Sequence, residues 1–328
     1  MKRSVSFLAV LLGSTTLSVH AFADRQAVPI NYDALSFFEE PLAVEVGPAT
    51  LSANMLVDQA AQYNWTSEDD EYNTRANADV LLATQLPNSW RASINYVANY
   101  NRLADEEYTD NVALSLSDAW GVLAGGNVTE SVREKTRRAR GVGNAELAND
   151  NFFGALEEAG GFYSVRFNSY EVSVAADGEG RAEAGLAFER PIGKANYFLS
   201  ARVRKGDTSE GSALDAEAET LGGAVVAEYS YASWQLDAQA GYESIDLEDA
   251  GDENDHMFGS LGVQYKFGAY SFSAEGGIGA YDGEDRHAFA LGSRVDVARG
   301  FSVNLGLNHK EVDEEEDTTA LASGRYEF

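Results

Sequence analysis

The stretch Phe301–Asn308, FSVNLGLN, alternates strictly: its odd positions are apolar and its even positions are small or polar. Successive side chains of a β-strand point to opposite faces, so this period of two predicts a strand with one apolar and one polar face. The same alternation recurs in Trp234–Glu243 and from Trp90 onwards, and past residue 40 there is little sign of a helical period. The sequence therefore predicts an all-β fold.

Following this alternation along the chain predicts about sixteen strands, with boundaries that are soft by a few residues. They are residues 51–64, 74–86, 89–102, 110–117, 120–128, 161–167, 169–176, 182–190, 196–205, 217–229, 232–244, 256–266, 269–281, 286–297, 301–311 and 318–328.

Short and long connections alternate between these predicted strands. Every second one is short, as at 87–88 and 267–268, while those between are mostly longer and acidic, as at 67–71, 248–255 and 311–317. Alternation fits both a soluble sandwich and a membrane barrel. Short turns at one end and long loops at the other favour a transmembrane antiparallel up-and-down β-barrel. Tyrosine and tryptophan near the predicted strand ends fit its aromatic girdles.

The N-terminal residues predict an export signal. Two basic residues precede the apolar run Val5–Leu12, and Ala21–Ala23 offers a small-x-small cleavage site. This apolar run is shorter than the roughly 20 residues of a membrane helix. We therefore expect residues 1–23 to be a signal peptide and 24–328 a single barrel domain.

Residues 24–50 fit two readings, a periplasmic lead-in or a short extra strand from Leu42 to Val46 that turns at Gly47-Pro48.

Composition excludes some classes of partner. The chain has 53 acidic against 24 basic residues, a formal charge of −29, and no cysteine. Such acidity disfavours a nucleic-acid partner. An exported chain of this size without disulfides is usual for bacterial envelopes.

The C-terminus places aromatic residues at Tyr326 and Phe328 on one face of the final predicted strand. Both would then lie at a membrane interface, and the intervening charges would face the lumen. This ending resembles the C-terminal signature of bacterial outer-membrane β-barrels, and the resemblance implies the barrel-insertion machinery as a partner.

One predicted connection, residues 129–160, is far longer than the usual 2–6 residues, and a loop of that length is normally functional or disordered. It carries the basic run VREKTRRARG at Val132–Gly141, unexpected in so acidic a chain. Apolar residues later in this connection predict that it packs against the rest of the protein, with a short helix.

The strand Gly121–Val128, the 129–160 connection and the aromatic ending together resemble the sixteen-stranded general diffusion porins of Gram-negative bacteria, in particular the alphaproteobacterial type. The resemblance implies a water-filled channel for passive diffusion of ions and small hydrophilic solutes. It also implies a homotrimer, and a third external loop that folds into the lumen as the constriction. Many porins carry acids on this loop, whereas here its start is basic.

A barrel of sixteen strands leaves an aqueous channel, whose selectivity follows from its diameter and from charges at the narrowing. We predict the constriction to contain Arg133, Lys135, Arg137, Arg138, Arg140, Glu146 and Asp150. By alternation, the lumen-facing wall includes Arg91, Arg166, Arg202, Arg204, Arg294, Asp58 and Asp79.

The basic run allows two hypotheses. Confined charge between low-dielectric walls would steer anionic solutes. Alternatively, some of these arginines point outward and bridge phosphates of lipopolysaccharide in the surrounding outer-membrane lipid.

No cofactor or metal is predicted, although the acidic external loops could bind Ca²⁺ or Mg²⁺ weakly instead of forming a solvated rim. His256, His287 and His309 lie near predicted outer strand ends, but no nucleophile is clearly paired with them. The prediction is therefore a channel and not an enzyme. The alternatives are an adhesive or structural barrel and, less favoured, a membrane hydrolase.

Overall fold

The computed structural model describes residues 43–67, 69–102, 108–128, 131–136, 141–142, 152, 154–156, 159–208, 218–247, 253–281, 284–298, 300–312 and 315–327. The predicted signal peptide and most of the segment that follows it lie outside these residues.

The described residues form strands almost throughout. The strands are β1 Ala43–Val46, β2 Ala49–Asn64, β3 Asp69–Gln85, β4 Arg91–Asn101, β5 Tyr108–Asp118, β6 Gly121–Asn127, β7 Gly154–Ala155, β8 Ala159–Phe167, β9 Tyr170–Asp177, β10 Ala182–Ile192, β11 Ala195–Thr208, β12 Ala218–Tyr231, β13 Trp234–Leu247, β14 Glu253–Phe267, β15 Tyr270–Tyr281, β16 Glu284–Ala298, β17 Phe301–Val312 and β18 Glu315–Glu327. A single helical turn, α1, spans Ser131–Lys135.

Sixteen of these strands, β2–β6 and β8–β18, form a closed antiparallel barrel in up-and-down order. Each strand pairs with its neighbour in the chain, and β18 closes the barrel against β2 from Glu327–Leu56 to Thr319–Asn64. The predicted all-β barrel is confirmed. No helix among the described residues is long and apolar enough to cross a bilayer.

The short connections are tight turns of the kind that joins hairpin strands. Asn168 and Gly268 have φ values of 55° and 59°, in the left-handed region that such turns require. At the opposite end the strands extend further than predicted: β3 begins at Asp69 and β18 at Glu315, within runs expected to be loops. In both runs the backbone still pairs with the adjacent strand, Asp69 with Asn64 and Glu315 with Val312, although the side chains are acidic.

The two faces of the barrel differ as a membrane barrel requires. Outward residues are apolar and exposed, including Leu114, Val174, Leu199, Val225, Leu261, Ile278, Leu291 and Leu305. Inward residues are largely polar or small, including Asn95, Ser115, Ser164, Ser173, Thr220, Gln239, Ser260 and Asn304. This inverts the arrangement of a soluble protein, because here the outer surface meets lipid and the inner surface meets water.

Aromatic rings form a girdle at the short-turn end of the barrel. Trp120 lies between Trp90 and Tyr163, with ring centroids 5.5 and 6.1 Å away. Further pairs occur around the rim at Tyr170–Phe188, Tyr197–Tyr229 and Trp234–Tyr265. Rings with an apolar body and a polar edge are stabilised at the headgroup level of a bilayer.

The segment before the barrel forms a short strand, β1, as one of the two readings of residues 24–50 expected. It makes a hairpin with β2 through Gly47, whose φ is 65°. One edge of β2 pairs with β1 at its first residues and with β18 at its later residues. Strand β1 therefore continues the barrel wall beyond the end of β18.

Candidate pore constriction

The connection between β6 and β8 contacts the inner wall of the barrel wherever it is described. Its described residues are α1 with Thr136, Gly141 and Val142, Phe152, and β7 with Leu156. They meet the wall at three places, each against inward-facing residues.

The first contact joins α1 to β9, β10 and β11. Val132 is fully buried, and Gly185 of β10 leaves the space that its side chain and that of Thr136 occupy. A Cβ at Gly185 would lie 2.8 Å from Val132 Cγ1 and 2.6 Å from Thr136 Cγ2. Ser200 Oγ donates a hydrogen bond to the Thr136 carbonyl at 3.3 Å, and Lys135 Nζ lies 3.1 Å from Glu171 Oε1.

The second contact joins Val142 to β15 and β16. Its backbone N–H donates a hydrogen bond to Ser273 Oγ at 2.8 Å. Its carbonyl occupies the place where Gly292 would carry a Cβ, so only glycine fits at this position of β16. Strands β10 and β16 are separated by β11–β15, so the first two contacts lie on different sectors of the wall.

The third contact involves Phe152 and β7. Backbone pairing aligns Ala155 with Asp207 and Gly154 with Thr208 at the end of β11. The Phe152 ring lies 4.8 Å from the Arg202 guanidinium carbon and 5.6 Å from that of Arg204. It also meets the Phe258 ring edge-on, at a centroid distance of 5.7 Å.

Two of the predicted constriction residues are described. Arg133 is half-buried on α1, and Lys135 is held by Glu171 on the wall. The other five, Arg137, Arg138, Arg140, Glu146 and Asp150, lie outside the described residues.

All seven predicted wall residues lie on the inner face, but they differ in exposure. Arg202 and Arg204 are each only 5% exposed, because Phe152 covers them. On the inner face their guanidinium groups therefore contact Phe152 and Glu183. Arg166 pairs with Glu189 at 3.5 Å and Arg294 with Asp296 at 2.7 Å.

The three remaining wall residues are Arg91, Asp58 and Asp79. Arg91 is half-buried on β4, near the short-turn end. Asp58 and Asp79 are buried. Asp58 stands in register between Arg75 and Arg325 of the adjacent strands, so opposite charges alternate along this part of the wall.

The sequence reasoning missed Glu183. Its carboxylate is 0% exposed, 2.9 Å from Arg204 Nη2 and 3.4 Å from Arg202 Nη1. It also missed the glycines that receive the loop, Gly185, Gly222 and Gly292. Isolated glycines inside alternating strands signal close approach of another segment, and that signal was present in the sequence.

His256 and His309 each contact a polar side chain of the adjacent strand. His256 Nδ1 lies 3.5 Å from Glu243 Oε2, with both side chains buried and the ring packed against Phe258. His309 lies on the outer face, where Nδ1 hydrogen-bonds Thr318 Oγ1 at 2.8 Å. No cluster of potential metal ligands occurs within the part of the chain that the structure describes.

A closed barrel of sixteen strands, apolar outside and polar inside, with a connection packed on its inner wall, defines the class: a transmembrane β-barrel of porin architecture. Solved structures share it. An anion-selective porin from Comamonas acidovorans aligns with a TM-score of 0.67 and 12% identity, over 85% of this chain and 100% of that one.

Two further structures match. OmpT of Vibrio cholerae in its trimer form gives a TM-score of 0.68 at 14% identity, over 86% of this chain and all of that one. A mutant porin from Rh. blastica gives 0.57 at 15% identity, over 85% and 100%. No family model and no curated protein matches the sequence. At these identities the likeness shows the fold.

Proposed function

We propose that the protein is an outer-membrane porin through which ions and small hydrophilic solutes diffuse passively. The observation that carries this proposal is the polar inner face of a sixteen-stranded barrel, whose width leaves a water-filled passage. The connection packed against that face would narrow it. Export to the outer membrane by the 1–23 signal and insertion through Tyr326 and Phe328 belong to the same proposal.

Purified protein reconstituted in planar lipid bilayers tests this function directly. We expect stable, stepwise single-channel currents that rise linearly with salt concentration, because a wet lumen conducts without specific binding. A bilayer that stays silent after verified insertion would refute the channel and favour an adhesive or structural barrel. Hydrolysis of model esters or peptides by the purified barrel would instead favour the hydrolase alternative.

The basic run of the 129–160 connection is proposed to bias the channel towards anions. The variant to compare with wild type neutralises Arg133→Gln, Arg137→Gln, Arg138→Gln and Arg140→Gln together. We expect reversal potentials in a salt gradient to shift towards cation preference, since confined positive charge raises the local anion concentration. The control is Arg190→Gln with Lys194→Gln, exposed bases at the periplasmic turn.

An unchanged permeability ratio in the quadruple variant would eliminate the steering role. If binding to lipopolysaccharide falls at the same time, the arginines act as outward phosphate bridges instead. Weak Ca²⁺ or Mg²⁺ binding by the acidic external loops stays a prediction.

The outer face of β18, β2 and β3 supports assembly into a homotrimer. It carries a continuous set of small residues and one amide, namely Ala320, Ala322, Gly324, Gln59, Ala61, Thr74, Ala76 and Ala78. Small residues allow close approach of protein surfaces within a membrane, and a polar side chain there gains a partner. Of the matched structures, one is described as a trimer form.

Ala322→Trp is expected to convert the assembly to monomers, because a bulky ring would separate the small-residue faces. Native mass spectrometry in mild detergent measures the outcome. Leu261→Trp, on β14 four strands away from β18 and already large and exposed, is the matched control and should leave the assembly intact. A trimer that survives Ala322→Trp would place the interface elsewhere.

A further inference from the structure

Phe152 occupies a recess in the inner wall built from residues of four strands. Its side chain is 7% exposed and forms a buried cluster with Ala224 of β12 and Phe258 of β14. The guanidinium groups of Arg202 and Arg204 on β11 lie over its ring. Leu156 of the same connection is buried in a separate cluster, with Val132, Phe162 and Ala175.

Glycines create the recess. A Cβ at Gly222 would stand 2.8 Å from Phe152 Cε1 and 2.9 Å from the Tyr242 carbonyl, closer than side chains tolerate. Gly241, opposite Phe258 in the β13–β14 ladder, likewise makes room for the Phe258 ring. Glycines on the adjacent strands β12 and β13 therefore leave the space in which the Phe152 and Phe258 rings pack against each other.

The two arginines, Arg202 and Arg204, cover one face of the Phe152 ring. Glu183 on β10 accepts hydrogen bonds from both of them and fixes the plane of each guanidinium. A cation over an aromatic face is attracted by the negative π-face of the ring, most strongly where both groups are desolvated. Both arginines are nearly buried, so their attraction to the Phe152 ring is of the stronger, desolvated kind.

We propose that Phe152 is a positioning residue of the channel: its insertion between Gly222, Phe258 and the Arg202–Arg204 pair holds the stretch with β7 and Leu156 against the wall and thereby sets the open cross-section. The inference rests on the proposed channel function. It gives Arg202 and Arg204 a role in holding the loop, not in contacting permeating ions.

Single-channel recording tests the proposal with two independent ways of emptying the recess. Phe152→Ala removes the ring, and Gly222→Ala fills its place. Each is expected to raise open-channel current noise several-fold and to replace one conductance level by several. Gly223→Ala is the matched control, because its Cβ would meet only ordinary contacts at 3.5 and 3.7 Å.

The double variant separates this mechanism from general damage. Once the ring is absent, Gly222→Ala keeps only its close approach to the Tyr242 carbonyl, so the double variant should show less than the sum of the two single effects. Additive effects would overturn the proposal, as would wild-type noise in Phe152→Ala. Heat-dependent gel mobility of the folded barrel should be the same in wild type, Phe152→Ala and Gly223→Ala, since neither substitution crowds a strand backbone.

A second readout does not depend on conduction. The chain contains no cysteine, so the pair Ala155→Cys and Asp207→Cys, aligned across β7 and β11, reports loop position by disulfide formation. Cross-linking should be rapid in the otherwise wild-type protein and several-fold slower with Phe152→Ala. Equal rates would overturn the proposal. A silent wild-type channel with Phe152-dependent cross-linking would refute the porin function and leave the positioning role standing.

Discussion

Glu183→Ala is expected to lower the free energy of unfolding of the barrel by about 3–5 kcal/mol, the usual loss when one partner of a buried ion pair is removed. The carboxylate is fully buried and lies 3.4 and 2.9 Å from two guanidinium groups that are themselves 5% exposed. Without it two cations remain close together in a low-dielectric setting. Urea unfolding in lipid vesicles, followed by tryptophan fluorescence, measures the loss.

An exposed ion pair of the same wall serves as the control. Glu189→Ala removes the partner of Arg166, and because these side chains are 27% and 49% exposed, the loss should be at most about 1 kcal/mol. Replacing the buried triad together, Glu183→Leu, Arg202→Met and Arg204→Leu, should restore most of the stability, since apolar residues avoid the desolvation cost. Equal losses for Glu183→Ala and Glu189→Ala would contradict the buried assignment.

Leu261→Arg is expected to destabilise the barrel by about 2–4 kcal/mol, the cost of a basic residue at the lipid midplane. Leu261 lies in the middle of β14, between Ala238 and Gly276 of the adjacent strands, and is 69% exposed on the outer face. The side chain would have to carry its charge through hydrocarbon to reach the headgroups. Equilibrium folding into vesicles provides the measurement.

Gln264→Arg places the same charge three residues further along, on the inner face of the same strand. A hydrated lumen accepts it at little cost, so this variant should fold nearly as well as wild type. If the two variants lose similar stability, the division into lipid-facing and water-facing sides is wrong at β14.

Most of the barrel was predictable because its pattern is local. The alternation in Phe301–Asn308 assigns faces without reference to any partner strand, and the structure has β17 at Phe301–Val312. Strands β3, β14 and β18 extended beyond prediction into acidic runs. Acidic side chains in these runs indicate a solvent-exposed loop. The end of each strand is instead determined by its backbone hydrogen bonds to the adjacent strand.

The candidate site was predictable only in outline. Alternation placed Arg202 and Arg204 on the inner wall, and the structure agrees. That Phe152 covers them could not be derived, since the contact joins residues some fifty positions apart through a connection with no period of its own. A glycine at position 222 indicates that something approaches the strand closely, but only the structure shows that it is the Phe152 ring.

The sequence by itself determined the approximate number of barrel strands, the face of each strand residue and the position of the long connection. These follow from period-two alternation and from the opposite demands of lipid outside and water inside. Only the tertiary structure decided where that connection rests on the wall. The connection contacts the wall at Gly185, Gly222 and Gly292, which lie on three different strands. These glycines belong to one inner wall only when the barrel closes.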